Sequence, residues 1–168
     1  MNRSDEILWI SQVVLLNDKQ AFGKLMQRYH CRVRRYFLAL TNGDRALSDD
    51  LAQTTFIRAW QGMNGFKMLS SFSTWLYRIA YTTWCNHLSH AKNNLSLNDA
   101  AIADAVGCMP DEPPPNDDRA EHLRRAVASL AEAERNCITL FYLEEQSIKD
   151  IEKITGYKQG TIKSHLSR

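Results

Sequence analysis

The sequence predicts an all-α protein of two small helical domains joined by a flexible, acidic, proline-containing linker. Apolar residues recur three and four positions apart on both sides of the chain centre, and no stretch alternates as a strand would. All four prolines fall in one central stretch that has six acidic and no basic residues. We therefore predict one domain over residues 1–92, a linker over 93–118 and a second domain over 119–168.

The first domain is predicted to contain four helices. The longest covers about 19–41, where eight apolar residues share one face for five turns and Asn42-Gly43 provides a left-handed stop. A shorter helix begins at Ser4 before it. After it, we expect a helix from Ser48 to about 62, a polar loop over 61–73 and a last helix ending near Lys92.

The second domain is predicted to contain four helices, of which the last two form a helix-turn-helix. Ser147 and Asp150 have the spacing of a capping box, with Asp in place of the usual Glu, and open a two-turn helix. Gly156 follows as the turn, and the run GTIKSHLSR forms the last helix. A plain helical hairpin with a solvated polar face has the same pattern and remains the alternative.

Basic and acidic residues are distributed unevenly along the chain. Residues 1–92 hold 12 Lys and Arg against 6 Asp and Glu, and residues 119–168 hold 9 against 7. Basic domains on either side of an acidic linker favour a polyanionic partner, but an ordinary solvated surface has the same composition. Charge alone does not decide between these two interpretations.

Two motifs of the first domain resemble region 2 of bacterial RNA polymerase sigma factors of the extracytoplasmic-function group, and the second domain resembles their region 4. The motifs are DDLAQTTFIRAW at 49–60 and FSTWLYRIAYTTWCNHL at 72–88. The resemblance implies that the helix at 49–60 binds core RNA polymerase, at the clamp coiled coil of its largest subunit. The implied contact residues are Asp50, Gln53, Phe56, Ile57 and Trp60. Independently of the family, Asp49 and Asp50 also suit the first turn of a helix.

The resemblance also implies that residues 61–92 capture the minus-10 promoter element. Melted single-stranded DNA is bound by aromatic rings that stack on bases and by cations that contact phosphates. Trp84 lies beside the apolar stripe of its helix and is expected in the core, as Tyr77 can be. The predicted minus-10 contacts are Asn64, Lys67, Trp75, Arg78 and Lys92.

The last helix is implied to read minus-35 duplex DNA in the major groove, with Ile162 and Leu166 facing inward. The predicted contacts are Thr161, Lys163, Ser164, His165, Ser167 and Arg168. Glu152 stands where the family has a small residue, so it should crowd the two helices unless its side chain lies along the surface. The family continues this helix with more basic residues, so we expect the natural chain to extend beyond Arg168.

We expect no catalytic site, metal or cofactor. Cys85, His87 and His90 cannot close on one ion from a single helix, and no phosphate loop or nucleophile motif is present in the sequence. Without a leader or an apolar run of membrane-spanning length, the predicted location is cytoplasmic, with no membrane insertion. The expected partners are core RNA polymerase, promoter DNA and an anti-sigma factor.

Two other functions remain open. A sigma-like decoy would bind an anti-sigma factor without needing the polymerase and DNA residues, five of which this chain keeps: Asp50, Gln53, Trp75, Arg78 and Lys163. An ordinary helix-turn-helix repressor would not need the helix at 49–60.

Overall fold

The computed structural model describes residues 3–94 and 125–167, with side chains described over 4–91 and 125–167. These residues form helices and no strand, in two helical lobes. The first lobe contains α1 (Arg3–Leu16), α2 (Lys19–Leu40), α3 (Arg45–Gly62), a 3-10 turn (Met63–Gly65) and α4 (Phe72–Asn94). The second contains a helical stretch at 125–129, then α5 (Glu132–Ile138), a π turn (Thr139–Leu143), α6 (Ile148–Thr155) and α7 (Gln159–Ser167). The prediction of two helical domains is confirmed, whereas the predicted linker lies almost wholly outside the described residues.

The helix α2 is the central element of the first lobe and packs against α1, α3 and α4. Its apolar stripe is buried from Phe22 to Leu40 with the exception of Met26, which is 39% exposed. The Asp18 carboxylate caps its start by accepting a hydrogen bond from the Gln20 amide at 2.8 Å. At its end, Asn42 and Gly43 both have positive φ angles, of 57° and 89°, so the predicted left-handed stop is confirmed.

The helix α3 begins at Arg45, three residues before the predicted start. Asp44 is its N-cap and accepts a hydrogen bond from the Leu47 amide at 3.0 Å. Ser48, predicted to open the helix, is instead fully buried in its first turns and lies 2.9 Å from the Thr41 hydroxyl. Asp44, Ser48 and Asp49 are all possible caps in this stretch, and the packing of α3 on α2 decides among them.

The helix-turn-helix of the second lobe has the predicted geometry. Ser147 accepts a hydrogen bond from the Asp150 amide at 3.2 Å, and its hydroxyl donates to the Asp150 carboxylate. Gly156 ends α6 with φ of 79°, a left-handed conformation that costs glycine little. The chain therefore turns sharply from α6 into α7, which Ile162 holds in the core with no exposed surface.

The two lobes are in contact, an arrangement that the sequence does not predict. The helix α4 of the first lobe packs along α6 of the second, and α2 contacts α5 and the π turn. The buried apolar residues of both lobes form one continuous cluster. None of the described helices is both long enough and apolar enough to cross a membrane.

Replacing Gly156 with alanine should destabilise the fold by about 1–2 kcal/mol, because a Cβ is strained at a positive φ. No atom lies within 4 Å of that Cβ, so the backbone conformation alone causes the loss. The matched control is Gly23→Ala within α2, where the Cβ also meets nothing and helix propensity should stabilise by about 0.5–1 kcal/mol. Chemical denaturation of both variants measures the difference, and equal effects would contradict the assignment.

Candidate nucleic-acid and partner interfaces

One face of α3 is exposed and carries three of the residues predicted to bind polymerase. Asp50, Gln53 and Ile57 are spaced three and four residues apart and all point to solvent. Ile57 is 51% exposed although it is a large apolar side chain. The neighbouring Asp49 turns inward to Arg34, with the Arg34 Nε 2.5 Å from its carboxylate. This α3 face combines polar groups with an apolar side chain suited to a partner helix.

The other two predicted polymerase contacts lie on the inner side of α3. Phe56 is only 5% exposed and stacks on His30, with ring centroids 6.2 Å apart. Trp60 is half-buried and meets the Phe22 ring edge-on at 5.1 Å. The structure therefore does not bring all five residues onto one surface: Phe56 anchors the helix, and Trp60 lies at its border.

An open groove of about 360 Å³ lies between α3 and α4. Its lining combines an aromatic ring with two guanidinium groups: Arg58, Trp75, Arg78, Ile79 and Thr82. Trp75 is half-buried and Arg78 is exposed, so both predicted minus-10 residues reach this groove. Arg58, which the sequence reading missed, also lies there. Its side chain turns toward α4, where Nη1 donates to Thr83 at 3.3 Å, and its place within the motif at 49–60 gave no sign of this.

The loop before α4 is tied to this groove by an aromatic cluster. Phe66 is buried and packs on Trp75 with a centroid distance of 5.0 Å. Asn64 and Lys67 flank Phe66 and are both exposed. They therefore lie beside the groove, on a segment whose position Phe66 fixes.

Further along α4, the structure separates core residues from candidate contacts. Tyr77 has no exposed surface and Trp84 is 6% exposed, which confirms the expectation that both belong to the core. The side chain of Lys92 lies outside the described residues, although its backbone continues α4.

The helix α7 presents four of its predicted DNA contacts to solvent. Thr161, Lys163, Ser164 and Ser167 are all exposed, while Ile162 is buried. The Glu152 carboxylate accepts a hydrogen bond from the Gln159 side-chain amide at 2.7 Å, so it links α6 to α7 at the surface instead of crowding them. Arg168 lies outside the described residues.

His165 is placed differently from its predicted outward position. Its side chain is 20% exposed, its Nδ1 lies 3.9 Å from the Glu134 carboxylate, and its ring is 6.0 Å from the Tyr157 ring. Positions three and four apart share a helix face, so His165 follows the buried Ile162 toward the lobe interior.

A buried polar network joins the lobes, and the sequence reading missed it. Glu144 has no exposed surface, and its carboxylate accepts hydrogen bonds from Arg32 Nε at 3.2 Å, Arg35 Nε at 3.0 Å and the Tyr77 hydroxyl. Burial, with the Glu144 charge nearby, raises the pKa of Tyr77 above its usual range, so the phenol keeps the proton that it donates. In the sequence, the only sign of this network is an acidic residue directly after the apolar run TLFYL.

A second group of polar contacts joins the lobes at the end of α2 and along α4. The Arg135 guanidinium donates to the Leu40 carbonyl at 3.1 Å and to the Asn42 side chain at 2.9 Å. The Tyr36 hydroxyl donates to Asn136 at 2.7 Å, and the Tyr81 hydroxyl to that of Tyr157 at 3.3 Å. Arg135 thereby satisfies a carbonyl left free at the end of α2.

The first lobe has an aromatic and cationic groove, and the second is a helix-turn-helix with an exposed last helix. This combination is typical of DNA-binding proteins that act in transcription. Family comparison gives a narrower assignment. Sigma-70 region 2 matches residues 25–93, and Sigma-70 region 4 matches residues 120–168. The chain belongs to the sigma-70 family of RNA polymerase sigma factors, and relatives such as the ECF sigma-E factor of Haemophilus influenzae, 32% identical to it, place it in the extracytoplasmic-function (ECF) group.

Curated relatives align with nearly the whole chain. The ECF RNA polymerase sigma-E factor of Haemophilus influenzae is 32% identical over 161 residues, covering 90% of this chain and 84% of the relative. The RNA polymerase sigma-H factor of Pseudomonas aeruginosa is 28% identical over 161 residues, covering 90% and 83%.

Two solved structures share the fold. The sigma factor RpoE of Bartonella quintana, crystallised with the anti-sigma factor NepR, superposes with a TM-score of 0.72 at 24% identity, covering 88% of this chain and 90% of that one. The protein CnrH, in complex with the cytosolic domain of CnrY, gives a TM-score of 0.68 at 19% identity, covering 98% of this chain and 91% of that one.

Truncation of two adjacent residues of α3 should change the stability of the fold by very different amounts. Phe56→Ala should lower the free energy of unfolding by about 3–5 kcal/mol, because it empties a packed site. Ile57→Ala should change it by no more than about 0.5 kcal/mol, because the side chain already faces solvent. Urea denaturation followed by circular dichroism measures both, and a large loss for Ile57→Ala would show that its face is not free.

Proposed function

We propose that this sigma factor directs core RNA polymerase to promoters through three separate surfaces. The α3 face of Asp50, Gln53 and Ile57 binds the clamp coiled coil of the largest polymerase subunit. The groove and loop before α4 hold the minus-10 element, and α7 reads the minus-35 element. The observation that carries the proposal is that one chain of this family leaves both the α3 face and the outer face of α7 exposed.

The α3 face suits a helical partner on chemical grounds. Side chains at positions 50, 53 and 57 can contact one partner helix along two turns. Gln53 supplies both a hydrogen-bond donor and an acceptor, and Ile57 supplies apolar area that an isolated protein gains nothing by exposing.

The groove suits unpaired bases. Trp75 is held in place by Phe66 and Phe72, with centroid distances of 5.0 and 5.7 Å, so its remaining exposed surface is presented in one orientation. Arg58 and Arg78 supply positive charge beside it for phosphates. Asn64 and Lys67 extend this surface, and Lys92 continues it along α4 in the proposal.

The outer face of α7 suits duplex DNA. Lys163 contacts phosphate or a base edge, Ser164 and Ser167 add hydroxyl donors, and Thr161 lies in the first turn, where backbone amides favour a phosphate. Arg168 extends this set. His165 acts from within as a support that fixes α7 against Tyr157 and Glu134.

The rest of the assignment follows from this role. The chain supplies recognition and the polymerase supplies the chemistry, so we propose no enzymatic activity for the chain itself. The division into residues 1–92, a linker at 93–118 and residues 119–168 is part of the proposal, as is a cytoplasmic location with the polymerase. Because one solved structure with this fold is a sigma factor in complex with the anti-sigma factor NepR, we also propose an anti-sigma partner.

The direct test is run-off transcription on genomic fragments by core polymerase with and without the protein. The proposal expects new, discrete start sites that depend on the protein. Unchanged start sites, together with no binding to core polymerase, would refute it.

Gln53→Glu should weaken binding to core polymerase about tenfold or more, because it places an unpaired charge in the contact. The matched control is Gln27→Glu, at another exposed glutamine, on α2. Surface plasmon resonance with immobilised core polymerase measures both affinities, and thermal melting checks that both variants remain folded. Equal affinities would remove Gln53 from the interface.

Lys163→Gln should weaken duplex binding and reduce the slope of log K against log salt by about 0.9, the value for one phosphate contact. Lys19→Gln, an exposed lysine at the start of α2, is the control and should leave the slope unchanged. Fluorescence anisotropy of a labelled duplex over a salt series gives both slopes. An unchanged slope for Lys163→Gln would place the phosphate contact elsewhere.

A further inference from the structure

The loop before α4 exposes two adjacent apolar side chains at its tip. Leu69 is 85% exposed, more than any other large apolar side chain in the described part of the chain, and its neighbour Met68 is 48% exposed. Single apolar residues are common on protein surfaces, but an exposed apolar pair contributes nothing to the stability of the free protein. Its position favours a role in a complex.

The backbone at Met68 is also strained. Its φ is 55°, in the left-handed region that a long side chain rarely adopts. Among the described residues, the other non-glycine positions with positive φ are two asparagines, which tolerate this region, and Glu145. Strain of this kind persists only where the surrounding structure imposes it, and it is concentrated at functional sites.

Both ends of the loop tip are fixed beside the groove. On one side, Phe66 is buried and packs on the Trp75 ring at a centroid distance of 5.0 Å. On the other side, the Ser71 hydroxyl lies 2.6 Å from that of Thr74 and accepts a hydrogen bond from the Thr74 amide at 3.1 Å. The tip at 67–70 is therefore held next to the groove that Trp75 lines.

The charges around the tip favour nucleic acid over an apolar protein partner. Lys67 is exposed at the tip itself, and the guanidinium groups of Arg58 and Arg78 line the adjoining groove. Residues 61–75 contain no Asp or Glu. Cations around an apolar pair match a DNA strand, in which phosphates lie on either side of apolar base faces.

We propose that Met68 and Leu69 form an apolar wedge that enters the base stack at the edge of the minus-10 element and holds the DNA strands apart. A base that leaves the duplex to stack on Trp75 opens a gap, and leucine and methionine are side chains that DNA-kinking proteins insert between bases. The wedge rests on the proposed function, because it acts on the DNA that the groove holds. Its effect is on opening of the duplex, whereas the groove binds strands that are already separated.

Leu69→Ser tests the wedge in the presence of core polymerase, on a promoter selected with the wild-type protein. The rate of strand opening, followed by the fluorescence of 2-aminopurine placed in the minus-10 element, should fall about tenfold because the gap is left unfilled. On a template with mismatched bases over the minus-10 element, run-off transcription should stay within about twofold of the wild type, because those bases are already unpaired.

Two further variants separate the wedge from other causes. Leu15→Ser changes a leucine that is 79% exposed on α1, and it should leave the opening rate unchanged. Arg78→Gln removes a charge from the groove and should weaken transcription from both templates, because both contain the phosphates. Thermal melting should show that Leu69→Ser is as stable as the wild type, since the side chain faces solvent.

Met68→Gly should change stability and opening in opposite directions. Glycine adopts a positive φ without strain, so Tm should rise by roughly 2–4 °C. Loss of the apolar side chain should slow opening of the duplex about threefold. Slower opening together with a lower Tm would assign the effect to folding and overturn the role of Met68.

The two templates decide the outcome. Opening by Leu69→Ser at the wild-type rate would overturn the wedge while leaving the proposed function standing. An equal loss on the duplex and the mismatched template would also overturn it, because Leu69 would then contact separated strands. Failure of the wild type to direct transcription from either template would refute the proposed function, and the wedge with it.

Discussion

The carboxylate of Glu144 is the constraint on which the arrangement of the two lobes depends. A charge without solvent contact is tolerated only where donors surround it, and here every donor to that carboxylate comes from the other lobe. The second lobe therefore cannot rotate or slide on α2 and α4 without leaving the charge unpaired. Apolar burial stabilises each lobe and continues across the contact between them, but it is non-directional, whereas this network specifies one orientation.

At each proposed interface, one helix both packs into the core and presents side chains to a partner. The inner side of α3 holds Phe56 in the core, and its outer side presents Gln53 and Ile57. The same division holds in α7, where Ile162 faces inward and Lys163 faces outward. Because both helices pack on a core, their outward side chains are positioned by elements that do not touch the partner. A helix of this kind can vary its outer residues with little effect on stability.

Much of the fold follows from patterns that act over a few residues. The apolar stripe of α2, the cap at Ser147 and the left-handed turn at Gly156 depend on local spacing and on backbone sterics, and the structure has all three. The start of α3 was predicted three residues late, because Asp44 and Ser48 are both good caps and only packing chooses between them. His165 faces inward, although we predicted an outward position. In a short helix, spacing alone does not show where the buried side ends and the exposed side begins.

The sequence by itself determined the helical class, the two-lobe organisation and the family, because periodicity, caps and motif order are properties of neighbouring residues. It also separated the exposed residues of α3 and α7 from most of the core. Only the tertiary structure decided that Arg58 joins Trp75 and Arg78 in one groove, and that Glu144 meets Arg32 and Arg35 across more than 100 positions of chain. Contacts between distant segments depend on how whole helices pack, and no local pattern in one sequence encodes them.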